Sequence, residues 1–138
     1  AVLGSTSGLL AQPGVGTRIA EATAILGSAR SWHASVVADA WQVVVDGGEL
    51  DAPARDLVAL ASIHAARSAA RAVDLVHELA GTSVARMSSR LGRCWRDVHV
   101  VASHVGLSPL SLEGIGQRAG SSESVRTPEH LHRAQDRR

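Results

Sequence analysis

Apolar residues recur at spacings of three and four along most of this chain, and four stretches keep that rhythm long enough to read as helices. The first, Val15 to Asp46, sets Ile19, Ala22, Leu26, Ala29, Val36, Ala40 and Val43 on one buried side. At about 1.5 Å per residue it extends roughly 45 Å, a length that belongs in a helical bundle. Gly47 and Gly48 end it, and Asp51 caps a second helix, Ala52 to Ala80, with Pro53 in its first turn. That helix carries Leu57, Leu60, Ile63, Ala66, Ala70, Val73, Val76 and Leu79 on its apolar side. Its polar stripe of Arg67, Arg71, Asp74 and Glu78 reads as a solvated face with local ion pairs. A third helix runs from Arg90 to Val105 and a fourth from Pro109 to Ala119, with Ser108 as cap. No β-branched alternation is sustained, so the pattern predicts an all-α chain whose long helices belong in a bundle. Residues 1–16 read as a loop, 17–120 as the bundle domain, and 121–138 as a polar, disordered tail broken by Pro128.

The chemistry concentrates in RCWRDVHVVASHVGLSP, Arg93 to Pro109. Leu91, Trp95, Val98, Ala102 and Val105 form its apolar stripe, while Arg93, Asp97 and His104 form a second one. If the helix continues through Val105, Asp97 and His104 stand on the same side, two turns apart. Gly106 and Pro109 then force a corner just beyond them.

Composition narrows the function classes. The formal charge is +1 over 138 residues, which argues against a dedicated nucleic-acid surface. All 14 basic residues are arginine, a bias of composition without functional weight. The single cysteine, Cys94, excludes an internal disulfide, fits a reducing cytoplasm, and beside Trp95 reads as a buried, inert thiol. No apolar run approaches the roughly 20 residues of a membrane span. Ala1 to Leu10 lacks the basic start and apolar core of a secretory leader. His130 and His132 have no further ligand at a useful spacing, so no metal site is expected. Trp32 and Trp41 read as packing or interface anchors.

In the order of its features the chain resembles the C-terminal helical domain of the acyl-CoA dehydrogenase superfamily. The segments that carry the likeness are SIHAARSAARAVDLVHELAGTSV, SSRLGRCWRDVHVVASHVGLSP and LEGIGQRAG, with LLAQPGVGTRIAEATAILGSAR fitting less specifically. The arginine–aspartate pair Arg96–Asp97, a histidine after it and then Ser108–Pro109 bring it nearest to the two-component flavin-dependent monooxygenases, such as the hydroxyphenylacetate and dibenzothiophene oxygenases. The resemblance implies an all-α, up-and-down helical bundle lacking its first helix, read from a longer protein whose helical and β-domains lie upstream. It also implies FAD or FMN as cofactor, assembly into a homodimer or homotetramer through the bundle, and a separate flavin reductase.

Residue by residue, the resemblance places His104 at the histidine that faces flavin and substrate. There an imidazole can donate a proton to an oxygen carried by the flavin or take one from a phenol. The plainer alternative is a helix-end histidine bonded to backbone. Gly81, Thr82 and Ser83 match the loop that approaches the cofactor's phosphate or adenylate end, though Gly81 serves equally as a helix stop. Arg93, Arg96 and Asp97 read first as structural ion pairs, with Arg96 a second candidate for binding cofactor phosphate. His99 reads as structural, reaching Ser103 one turn on. Acyl-CoA dehydrogenases proper place a glutamate base close to the His104 position, and Ser103, His104 and Val105 supply none. Two alternatives stay open: an acyl-CoA dehydrogenase proper, or a non-catalytic helical module that pairs with a partner chain.

Overall fold

The computed structural model describes residues 12–80, 89–107 and 109–121. Helix α1 spans Val15–Val45, α2 Ala52–Ala80, α3 Arg90–Ala102 and α4 Pro109–Ser121, with a 3₁₀ turn at Val105–Leu107. All regular structure among the described residues is helical, as the periodicity predicts.

The helix ends follow from local chemistry. Gly47 adopts φ 79°, a left-handed turn that costs glycine nothing. Its N–H bonds Val44 O at 3.0 Å and that of Gly48 bonds Val43 O at 2.9 Å, so two carbonyls at the end of α1 are satisfied. Asp51 Oδ1 accepts from Ala54 N–H at 2.8 Å, the cap foreseen for α2. Ser89 Oγ does the same for α3, accepting from Gly92 N–H at 3.2 Å.

Helix α2 is the centre of the bundle, because α1, α3, the 3₁₀ turn and α4 all pack against it. On α1 the buried residues Val15, Ala22, Ala29 and Val36 fall seven apart, the spacing of a left-handed coiled-coil seam. Helix α2 carries two such lines. Ser62 and His64 both reach α1, through His33 and Trp32, so Ile63 between them points the other way. Ile63, wholly buried, shares a heptad line with Ala70, with Asp56 above and His77 below. Those two end residues meet α4 and α3. Ala61 and Ser68, both buried, lie two residues behind that line and roughly half a turn around, on the α1 side. Small side chains on both lines let the helices approach closely.

Several expectations are corrected. Helix α3 stops at Ala102 instead of Val105. Ile19, Leu26 and Val43 are exposed at 39%, 44% and 41%, because the buried seam of α1 is narrower than its apolar stripe. Cys94 is exposed, standing on the face of α3 turned away from α2. The stripe on α2 does not pair with itself: Arg71 Nη2 bonds Glu21 of α1 at 3.1 Å, and Glu78 pairs with Arg18 of α1. Asp97 and Arg96 have no ion-pair partner among the described residues. Ser108 and the segment 122–138, with His130 and His132, lie outside the described residues.

Candidate functional site

The corner after α3 is built by backbone bonds. Ser103 N–H donates to His99 O at 3.0 Å and Val100 O at 3.2 Å, while its Oγ donates to His99 O at 2.7 Å. A hydroxyl that bonds back one turn competes with helix continuation, and the chain leaves the α-helical path here. His104 N–H reaches Val101 O at 3.0 Å, and Leu107 N–H closes the turn on His104 O at 2.8 Å.

His104 is exposed at this corner, and its Nδ1 accepts from Gly106 N–H at 3.2 Å. The backbone bond of the plainer alternative is therefore made. It also fixes the tautomer: with Nδ1 accepting, the neutral ring carries its proton on Nε2. His104 thus presents an N–H donor away from the corner. Because α3 has already ended, His104 does not continue the Asp97 stripe as an unbroken helix would require. Arg96 is half-buried on α3. Gly81, Thr82 and Ser83 lie outside the described residues.

A cluster that periodicity does not reveal holds α3 on α2. Asp74 Oδ1 accepts from Trp95 Nε1 at 2.8 Å and lies 2.9 Å from His99 Nε2. The Trp95 ring sits between two imidazoles, 5.2 Å from His77 and 4.6 Å from His99. Partial burial pushes the Asp74 carboxyl up, but the hydrogen bonds from His99 and Trp95 and the charges of His99 and His77 together outweigh it. The net effect holds Asp74 below the ordinary carboxylate range. His99 is structural, as expected, though its ring turns to Asp74 and only its carbonyl meets Ser103. The one sequence clue was the i,i+4 spacing of Trp95 and His99, which puts both on one face of α3.

Asp74 also borders a cleft of about 340 Å³, open to solvent, between α2 and the corner. Arg67, Ala70, Arg71 and Asp74 line it from α2, and Ala102 and Leu107, which bracket His104 in sequence, line it from the other side. Among the described residues no three metal-ligating side chains converge, and no helix is long and apolar enough to cross a membrane.

Comparison with known proteins gives two matches. Residues 3–109 match the family described as acyl-CoA dehydrogenase, C-terminal domain. The chain is also similar to an indole-3-acetate monooxygenase of Pseudomonas putida, 32% identical over 98 residues. Those residues are 71% of this chain but 25% of that protein, so the match spans about a quarter of the relative's length. No solved structure matches.

Proposed function

Because this chain belongs to the acyl-CoA dehydrogenase C-terminal domain family, we propose that it forms the helical bundle of a flavin-dependent oxidoreductase, a monooxygenase, and supplies one wall of the substrate site. The observation that carries this reading is His104, whose Nδ1 is held by the backbone of an exposed corner so that Nε2–H faces outward. The monooxygenase similarity supports the same reaction class. So does the corner's composition: Ser103 to Leu107 contains no carboxylate, and removal of an α-proton from an acyl-CoA needs a base there.

The donors present suit a flavin, FAD or FMN. Arg96, half-buried and without an ion-pair partner among the described residues, fits an anionic phosphate, and His104 offers a neutral N–H. Gly81, Thr82 and Ser83 complete the proposed cofactor contacts. When bound, reduced flavin supplies the electrons that activate oxygen, delivered through a separate flavin reductase. His104 would hold and orient a substrate oxygen through a hydrogen bond donated by Nε2–H. The bundle also assembles the protein into a homodimer or homotetramer, through apolar residues that α1 leaves exposed.

The test is single-turnover hydroxylation by the whole flavin-binding polypeptide with pre-reduced flavin. His104→Ala slows oxygenation by about 10²–10⁴-fold and leaves flavin binding unchanged. An unaltered rate in a folded variant removes the assignment.

A further inference from the structure

We infer that His99 is a positioning residue for His104: held by its ring to Asp74 of α2 and by its carbonyl to Ser103, it fixes where the corner imidazole points.

The bond that joins His99 to Ser103 recurs in this chain, but its setting at the corner does not. Thr23, Ser28 and Ser62 also donate a hydroxyl to the carbonyl one turn back, to Ile19, Ala24 and Val58 at 2.8, 2.9 and 2.8 Å. There α1 and α2 run on, so a hydroxyl bond does not by itself make a corner. In those three cases the accepting residue has an apolar side chain. At the corner the accepting residue is His99, and its own ring is bonded to another helix. Its Nε2 lies 2.9 Å from Asp74 Oδ1, and because an ionised carboxylate only accepts, Nε2 carries the hydrogen. Its carbonyl takes Ser103 Oγ at 2.7 Å and Ser103 N–H at 3.0 Å. The last turn of α3 is thus pinned to α2 by hydrogen bonds running from Asp74 through His99 to Ser103, with His104 next in sequence.

The far side of the corner has a foothold of its own. The 3₁₀ turn Val105–Leu107 packs against α2. Leu107 lines the cleft that Ala70 and Asp74, one turn apart on α2, line from the opposite wall. His104 therefore stands between two feet, His99 and Leu107, set beside neighbouring turns of one helix. Within that span Gly106 N–H fixes the ring through Nδ1 at 3.2 Å, and Leu107 N–H fixes the backbone through His104 O at 2.8 Å. The Gly106 bond joins two exposed residues, where water competes for both groups, so it is weak alone. It keeps one geometry while both ends of the span are held. Releasing the His99 foot frees the span, and Nε2–H loses its fixed direction.

This inference rests on the reading of His104 as the hydrogen-bond donor of the substrate site, and its first test does not use turnover. His99→Phe keeps a ring against Trp95, whose centroid lies 4.6 Å from that of His99, and removes the bond to Asp74. His99→Gln does the reverse, because an amide N–H of similar reach donates to Asp74. His99→Met, flexible and without an N–H, serves if the phenyl ring does not fit. In ¹⁵N correlation spectra of the labelled chain above neutral pH, wild type and His99→Gln are expected to show His104 Nδ1 without hydrogen. His99→Phe is expected to show the second tautomer, with hydrogen on Nδ1, and at least about tenfold faster exchange of the Gly106 amide with water. The amides of α1 keep their wild-type rates, which a general loss of stability would not allow. In the whole flavin-binding polypeptide, single-turnover hydroxylation falls by about tenfold in His99→Phe at unchanged flavin affinity, while His99→Gln retains most of the rate. A wild-type His104 ring in His99→Phe, or a disturbance in His99→Gln as large as that in His99→Phe, would overturn the proposal. If the corner moves in His99→Phe while His104→Ala turns over normally, the positioning stands and the role given to the imidazole falls. If His104→Ala is slow and His99→Phe is not, the positioning alone falls.

Discussion

Trp95 Nε1 donates to Asp74 Oδ1 at 2.8 Å, and this bond ties α3 to α2 about two turns ahead of the His104 corner. The indole therefore acts as a polar strut as well as an apolar filler. His99, one turn further on, reaches the same oxygen, so a single carboxylate sets both the position and the rotation of α3.

Removing that acceptor is expected to loosen α3. Asp74→Ala strands two donors that are partly open to water, which limits the loss to about 1 kcal/mol. Asp74→Asn keeps an acceptor oxygen and loses less. Urea unfolding followed by tryptophan emission reads the difference as a lower midpoint. A midpoint unchanged in Asp74→Ala would show that the strut contributes nothing.

Acid should remove the same contribution. The folded-state pKa of Asp74 is lowered, so its stabilisation is fully present above the unfolded value of about 3.9 and is lost as pH falls through the lower folded value. The stability gap between wild type and Asp74→Ala is thus expected to close as pH falls below about 4. Asp56 has the same sign: the hydrogen bond from Arg118 holds it low, with Arg118 Nε and Nη2 each 2.7 Å from a carboxylate oxygen. In Asp56→Asn the amides of α4 should exchange faster at neutral pH than in wild type, and the difference should fade in acid.

Two glycine substitutions are expected to act in opposite directions. Gly27 lies inside α1 with nothing within 4 Å of an added Cβ, so Gly27→Ala raises stability by about 0.5–1 kcal/mol through helix propensity. Gly47 stands at φ 79°, where Gly47→Ala costs about 1–2 kcal/mol. Thermal unfolding of the pair checks both signs, and a shift in the same direction for both would contradict the account.

Self-association should depend on α1. Ile19, Leu26, Val37 and Val44 are all exposed, and the pairs Ile19–Val37 and Leu26–Val44 are each separated by five whole turns, so the four share one side. Trp41, 67% exposed, lies next to them. Leu26→Glu and Trp41→Glu should each shift the chain toward monomer in sedimentation velocity at micromolar concentration. A wild-type chain that is already monomeric would count against the proposed assembly.

The sequence exposed its helices because cap chemistry is local. Asp51, Ser89 and the Gly47–Gly48 pair announce their roles within a few residues, and the bounds they imply agree with the fold to within a residue or two at most ends. The end of α3 was hidden, because the apolar period runs on to Val105 while the backbone is diverted at Ser103. Ion pairing was hidden for another reason. Arg71 and Glu78 have attractive neighbours on their own helix, yet their partners, Glu21 and Arg18, are fifty and sixty residues away. Spacing along one helix says nothing about which helix will lie alongside. The corner histidine could be picked out by its setting between an arginine–aspartate pair and a proline, but the state of its ring depended on one backbone N–H that only three dimensions supply.

The two heptad lines on α2, Asp56–Ile63–Ala70–His77 toward α3 and α4 and Ala61–Ser68 toward α1, also restrict how this chain can change length. One residue inserted near Ala65 would rotate everything after it by about 100° and put both lines out of step at once. Seven residues, very nearly two turns, would leave both aligned. A change of length that preserves this packing must therefore fall in the connections between helices, or enter α2 in whole heptads.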